Sequence, residues 1–192
     1  MHFGIDYGSK MAGTTVITYD DGNFLKQISS LKNKDADQFI IQAIEDLKPK
    51  NVFIDAPLSL PNAYFGKGQD YFYREADKEL KAMSPMFLGG LTARAMKLKA
   101  EMEKSGIEVF ETYPGALVRS RSDLLNVYDK KAKRPGEALL DVVVNLLGNY
   151  QIKAQPTNMH QLDSLLAWAS GLRFAESRCE MVGNEEEGII VY

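Results

Sequence analysis

Three carboxylates stand where side-chain type and setting together point to chemistry. Asp6 lies in "MHFGIDYGSKMAG", Asp55 in "NVFIDAP" and Asp163 in "HQLDSLLAWA". Asp6 closes a short apolar run just before the turn at Gly8, and Asp55 closes a second such run. Asp163 falls in the first or second turn of a late helix, after the possible caps Thr157 and Asn158. If the two apolar runs are neighbouring strands, Asp6 and Asp55 emerge at one edge of a sheet. A helix docked across that edge then aims Asp163 between them. Crowded carboxylates repel and their pKa values rise, unless a cation compensates them. Hard cations such as Mg2+ or Mn2+ want oxygen ligands and keep several waters, so few carboxylates suffice. Two such ions, about 3.5–4 Å apart, would hold the attacking water and the leaving oxygen of a phosphodiester.

Taken singly, each acid has a plainer reading. Asp6 can cap a turn, Asp55 can fix the turn before Ala56-Pro57, and Asp163 suits the positive end of a helix. The expectation of a metal site with Asp6, Asp55 and Asp163 as catalytic ligands rests on their convergence. Glu111 in "VFETYP" also ends a strand; it is a fourth ligand or orients one, or it caps the turn at Pro114. His160 precedes Asp163 by three residues on roughly one helical face. It is a proton shuttle or, as the favoured reading, a surface histidine. Lys10, Arg74 and Arg94 are candidate phosphate contacts. Against that, Lys10 can be simply solvated, and the arginines can pair with Asp77 and Glu79, the favoured reading for Arg74. The aromatics Tyr64, Phe65, Tyr71, Phe72 and Tyr73 could stack on bases, but are first expected to pack their loop onto the core.

Bulk composition bounds these readings. The 192 residues, 45% hydrophobic and 26% charged, are expected to make a single domain over 1–192. No apolar run reaches the roughly 20 residues that span a bilayer. The opening residues lack the basic and apolar regions of a signal peptide. A single cysteine, Cys179, excludes an internal disulfide and a cysteine zinc cluster, so a cytoplasmic protein is expected. The net charge of −3 argues against a simple cationic nucleic-acid binder. Charge is uneven, however: Arg94 to Arg134 holds 10 Lys/Arg and 6 Asp/Glu, a local +4. Its densest spot, Lys130, Lys131, Lys133 and Arg134, can meet phosphates, though a solvated loop is the favoured reading.

The elements that must position these residues follow from periodicity. "MHFGID", "GTTVITYD" and "FLKQISSL" read as strands, the last two joined by a hairpin at Asp21-Gly22. "DADQFIIQAIEDLK" carries a helical apolar stripe with Asp35 as its cap, and "NVFIDA" is a buried strand parallel to the first. The irregular "PLSLPNAYFGKGQDYF" is long for a compact domain, which marks it as functional. Helices follow around "YREADKELKAM" and "TARAMKLKAEMEKSG", the latter stopped by Gly106. Then come a strand "IEVFETYP" and helices "GEALLDVVVNLLGNY" and "MHQLDSLLAWASGLRFAES". "EGIIVY" is a candidate extra edge strand. Small residues Ala167, Ser170 and Gly171 indicate that the Asp163 helix packs closely on the sheet. The order implies an α/β fold with a mixed five-stranded sheet and helices on both faces.

These strings also resemble a known family. "GIDYGSKMAG", "VFIDAPLSLP", "YREADKEL", "VFETYPG", "HQLDSLLAWASG" and "EEEGIIVY" are similar, in order and over nearly the whole chain, to predicted nucleases of ribonuclease H-like fold, the domain of unknown function four-twenty-nine family. The resemblance implies a ribonuclease H-like domain with Asp6, Asp55 and Asp163 as its acidic trio. "HQLDSLLAWA" is similar to the last motif of Holliday junction resolvases, whose Asp is a metal ligand. The family further implies roles for Arg74, Asp77, Arg94 and Glu111.

Three functions remain in competition. The leading one is a metal-dependent nuclease acting on DNA or RNA. The second is an actin-like nucleotide-binding ATPase or kinase relative, which shares an opening "DxG" turn. The chain is short for that group and has no second such loop. The third is a non-catalytic binding module on the same scaffold.

Overall fold

The computed structural model describes residues 1–129 and 131–192. The chain opens with strands β1 (His2–Asp6), β2 (Val16–Asp21) and β3 (Phe24–Ser29), followed by helix α1 (Ala36–Leu47) and strand β4 (Asn51–Asp55). After the irregular segment, with one 3-10 turn at Asn62–Phe65, come α2 (Glu75–Glu79), α3 (Pro85–Leu88) and α4 (Gly90–Lys104). Next are β5 (Glu108–Thr112), α5 (Pro114–Ser120), α6 (Ser122–Leu125) and α7 (Glu137–Leu146). Strand β6 (Gln151–Ile152), helix α8 (Met159–Ala175) and strands β7 (Met181–Asn184) and β8 (Gly188–Val191) complete the chain.

The strands form one mixed sheet in the order β6-β3-β2-β1-β4-β5-β8-β7. β1 pairs antiparallel with β2 and parallel with β4, and β4 pairs parallel with β5. The expected five-stranded sheet is therefore corrected to eight strands among the described residues. The C-terminal run is not an edge either: β8 lies between β5 and β7, and β7 forms the rim. β6 and β7 are only two and four residues long, too short for alternation to announce them.

Side-chain alternation gives the sheet two covered faces. Phe3 and Ile5 of β1 join Val52 and Ile54 of β4 in a cluster with Ile40, Ile44, Ala95 and Leu98 of α1 and α4. Gly4 and Phe53 turn to the opposite face, against α8. Helix α1 starts where Asp35 accepts hydrogen bonds from the Asp37 and Gln38 amides, and buries Ala36, Ile40, Ala43 and Ile44. Gly106, in the left-handed region at φ 79°, stops the α4 segment as expected. Helix α8 is nearly wholly buried from Ser164 to Gly171. No helix among the described residues is long and apolar enough to cross a membrane.

Candidate functional site

The register of β1 on β4 pairs Asp6 directly with Asp55. Neighbouring strands run about 4.8 Å apart, and alternation puts both acids on the face of Gly4 and Phe53, the face that α8 covers. Gly4 is what lets α8 come so close. A Cβ there would lie 2.1 Å from Trp168 N and 2.6 Å from Ser164 O. The His2 ring stacks on Trp168 at 4.7 Å and bonds its carbonyl at 2.9 Å. A Cβ on Gly171 would meet the same His2 ring at 2.5 Å, the close packing that the small residues of this helix announce.

The first turns of α8 are fastened by polar side chains. Asn158 caps the helix by accepting from the Gln161 amide at 3.0 Å. Gln27 of β3 donates through Nε2 to Gln161 O at 2.7 Å, Ser164 Oγ at 3.0 Å and Thr18 Oγ1 at 2.9 Å. Asp163 lies in this fastened stretch, in the second turn. It lines one hollow of about 230 Å³ together with Asp55, Tyr113, Arg119 and Tyr128. Asp6 and Asp55 line an adjoining hollow of about 210 Å³, with Met83, Leu88, Leu91 and Thr112 in its walls. Asp55 and Tyr113 belong to both. The sheet edge thus carries one two-lobed cleft bordered by all three acids.

Burial pushes the Asp6 carboxyl above its usual range, against the opposing pull of His160. His160 Nδ1 sits 2.8 Å from Asp6 Oδ2, and that bond, with the Asp6 and Asp163 charges, raises the imidazole pKa. His160 is therefore half exposed yet engaged with the site, where a surface histidine is the expectation. Tyr128 Oη donates to Asp163 Oδ1 at 3.0 Å. Its pKa is raised by burial and then by the charges of Asp163, Asp55 and Asp6.

The supporting candidates are placed differently. Glu111 pairs in register with Ile54, not with Asp55, so alternation turns it away from the face of the two aspartates, although it still lines the lobe that holds them. Its carboxylate accepts from Arg74 Nη1 and Nη2 at 2.7 and 2.5 Å and from the Leu58 amide at 2.8 Å. Its oxygens are engaged by a guanidinium and an amide, an arrangement that suits an orienting role at the lobe's edge. Arg74 is corrected as a phosphate contact, being 1% exposed, with its fork held by Glu111 and by Asp77 at 2.7–3.0 Å. Burial opposes the Arg74 charge, but the two carboxylates outweigh it and raise its pKa. Arg94 binds Asp37 at 2.6 Å, reaches Gly8 O at 3.3 Å and covers the Tyr7 ring, so it braces the turn after Asp6. Lys10 pairs with Asp35 at 3.0 Å on the surface. Lys131, Lys133 and Arg134 are exposed; Lys130 lies outside the described residues.

Sequence reasoning missed Tyr128, Thr112 and Glu187. Nothing local marks Tyr128. Glu187 ends the run "EEE", which reads as solvated charge, yet only this third glutamate is buried. Its Oε1 accepts from the Asn62 amide at 2.7 Å and its Oε2 from the Glu75 amide at 2.9 Å.

For a divalent cation the donor chemistry fits in type: the converging side chains offer carboxylate oxygens, and partly buried Asp6 has lost solvation that a cation would replace. Among the described residues, no three or more His, Cys, Asp or Glu side chains are arranged to hold one ion. The cleft therefore offers pairs of carboxylates and not a closed cage. That suits Mg2+, commonly bound through one or two carboxylates with waters and substrate phosphate completing its shell. Comparison with family models, with curated proteins and with solved structures gave no match.

Proposed function

We propose that this chain is a metal-dependent phosphodiester hydrolase of the ribonuclease H-like type, acting on nucleic acid. The observation that carries the reading is the register match of Asp6 with Asp55 on the face covered by α8, with Asp163 bordering the same cleft. The inner strands β3-β2-β1-β4-β5, with β2 alone reversed, support the ribonuclease H-like assignment and with it the family resemblance.

In this reading Asp6 and Asp55 would hold Mg2+ or Mn2+, with Asp163 a further candidate ligand bordering the same cleft. The cation, when bound, would polarise the phosphoryl oxygen and lower the pKa of water. The chain's residues do the rest. Tyr128 orients Asp163 through its hydroxyl. His160 holds a proton at Nδ1 against Asp6 and fixes that carboxylate's direction. Arg94 steadies the turn through Gly8, and the apolar wall of Met83, Leu88 and Leu91 limits water.

The test is incubation of the full chain with single-stranded and duplex DNA and RNA in Mn2+ or Mg2+, alongside Asp6→Asn and Asp55→Asn. Cleavage by the native chain and its loss in both variants is the expected result. Intact substrates throughout, or cleavage that survives either change, overturns the proposal. The absence of a three-ligand cluster among the described residues favours a second reading, a binding module that kept the scaffold. Under that reading Mn2+ leaves the melting temperature unchanged.

A further inference from the structure

The segment from Pro57 to Arg74 is held down by polar groups and not by its aromatics. Glu187 takes the amides of Asn62 and Glu75, and its own carbonyl accepts from Ser59 Oγ at 2.5 Å. Arg74 donates to the same Ser59 hydroxyl at 2.7 Å while it bridges Asp77 and Glu111. Glu111 in turn holds the Leu58 amide. Both ends of the segment are fixed by this buried net, so its rings are not needed as anchors. They are displayed instead: Phe65 and Phe72 are 60% and 53% exposed, Tyr64 and Tyr71 are exposed too, and Phe87 of α3, against Phe72, is 65% exposed. Leaving so many large rings in water on one segment and the helix beside it is unfavourable and points to a contact site.

This aromatic rim approaches the acidic cleft through helix α3, whose Leu88 is a lining residue. Phe87 packs near Phe72 and Tyr73, at 5.7 and 5.9 Å between centroids, and is one residue from Leu88, which lines the lobe holding Asp6 and Asp55. The lobe sets four carboxylates, Asp6, Asp55, Asp77 and Glu111, among apolar walls and has, among its described lining residues, no Lys, Arg or His. The Thr112 hydroxyl, in the same lining, is buried without a hydrogen-bond partner among the described residues. Of the nearby cations, Lys67 pairs with Glu186 and Lys78 with Asp70, while Arg119 of the adjoining lobe lies over the Tyr113 ring and donates to Leu80 O. A duplex gripped by its phosphates needs free cations here. Flat rings with polar edges need aromatic faces, apolar walls and an unspent hydroxyl.

From this juxtaposition we infer that the cleft takes single-stranded nucleic acid, with bases stacked on the rim of Tyr71, Phe72 and Phe87 and one unstacked base seated against Thr112. The inference rests on the hydrolase reading for the identity of the polymer, and names its strandedness and mode of grip. Stacking on exposed aromatics tolerates any sequence, and binding then depends on salt less steeply than phosphate gripping does.

The test measures binding of the full chain to a fluorescein-labelled single-stranded oligodeoxyadenylate of about 12 nucleotides. The same oligomer annealed to its complement serves as the comparison, and EDTA prevents cleavage. The single strand is expected to bind at least about tenfold more tightly than the duplex, and Phe87→Ala and Tyr71→Ala each to weaken it about tenfold. Thr112→Val keeps the shape and removes only the hydroxyl. It is expected to weaken binding while leaving the melting temperature equal or higher, because an unsatisfied buried group is lost. Equal binding of strand and duplex, or binding indifferent to all three changes, overturns the inference. So does a Phe87-dependent dimer in sedimentation without oligomer binding, which assigns the rim to a second copy. Single-strand binding without cleavage in Mn2+ removes the hydrolase reading alone; duplex cleavage without single-strand binding removes this inference alone.

Discussion

His160 Nδ1 and Asp6 Oδ2 lie 2.8 Å apart although 154 residues separate them in the chain. The contact ties the end of the central strand to the first turn of α8, and it gives the site a pH dependence. The folded pKa of His160 is raised by Asp6, with Asp163 adding to the effect. Stability from this pairing is therefore fully present below the unfolded value of about 6.5 and is lost as pH rises through the folded one. In EDTA, His160→Gln is expected to lower the melting temperature at about pH 6 and to match the native chain well above the raised pKa. The difference is about 1 kcal/mol or less, because the imidazole is half exposed. Equal melting curves at both pH values contradict it.

Asp6 itself has a folded pKa raised by burial, so its ionised form is disfavoured in the native state without a cation. Asp6→Asn is accordingly expected to melt at the same or a higher temperature in EDTA at pH 8. If Asp6 holds Mn2+ as proposed, the native chain is expected to gain about 2.7 kcal/mol when Mn2+ is present at a hundred times its dissociation constant. Asp6→Asn loses most of that gain. Scanning calorimetry with and without Mn2+ reads both effects.

Arg74 neutralises two carboxylates in a setting nearly closed to water. Arg74→Met leaves Asp77 and Glu111 buried without their partner, and is expected to destabilise by about 3–5 kcal/mol. Urea unfolding measures it. Replacing all three with apolar residues of similar volume is expected to recover most of the loss.

Glu187 satisfies two amides that no water replaces easily. Glu187→Ala is expected to cost about 3 kcal/mol and to open the segment between Pro57 and Arg74 to proteolysis. Mass spectrometry of the fragments locates the cuts. Cleavage spread evenly over the chain would show that Glu187 does not hold this segment in particular.

Gly4 allows a close approach of α8 to the sheet. Gly4→Ala puts a methyl group into the Trp168 backbone, so α8 must move and carry Asp163 with it. A loss of about 3 kcal/mol is expected, with weaker Mn2+ binding. Unchanged Mn2+ affinity would separate the position of Asp163 from the packing of α8.

Much of this was legible in local pattern. The alternation and apolar runs of β1 to β5, the stripe of α1 with its Asp35 cap, and the Asn158 start of α8 all depend on neighbours within a few residues. The strand ends at Asp6 and Asp55 are of that kind too. The short helix α5 had its signal, Pro114 at its first position, inside a run that reads as a turn. Glu111 shows the limit. It looks like Asp6 and Asp55 in sequence, but a register shift of one residue against Asp55 turns it away from their face.

By itself the sequence determined which segments alternate, which coil and which acids end a strand, because these properties follow from local sterics and short-range hydrophobic period. Tertiary structure alone decided that Asp6 faces Asp55, that α8 lies on Gly4, that Arg74 and Glu111 spend their charges on each other, and that the loop's aromatics stay in water. Each of these depends on contacts between segments tens to hundreds of residues apart, where register and close approach, and not residue type, fix which side chains meet.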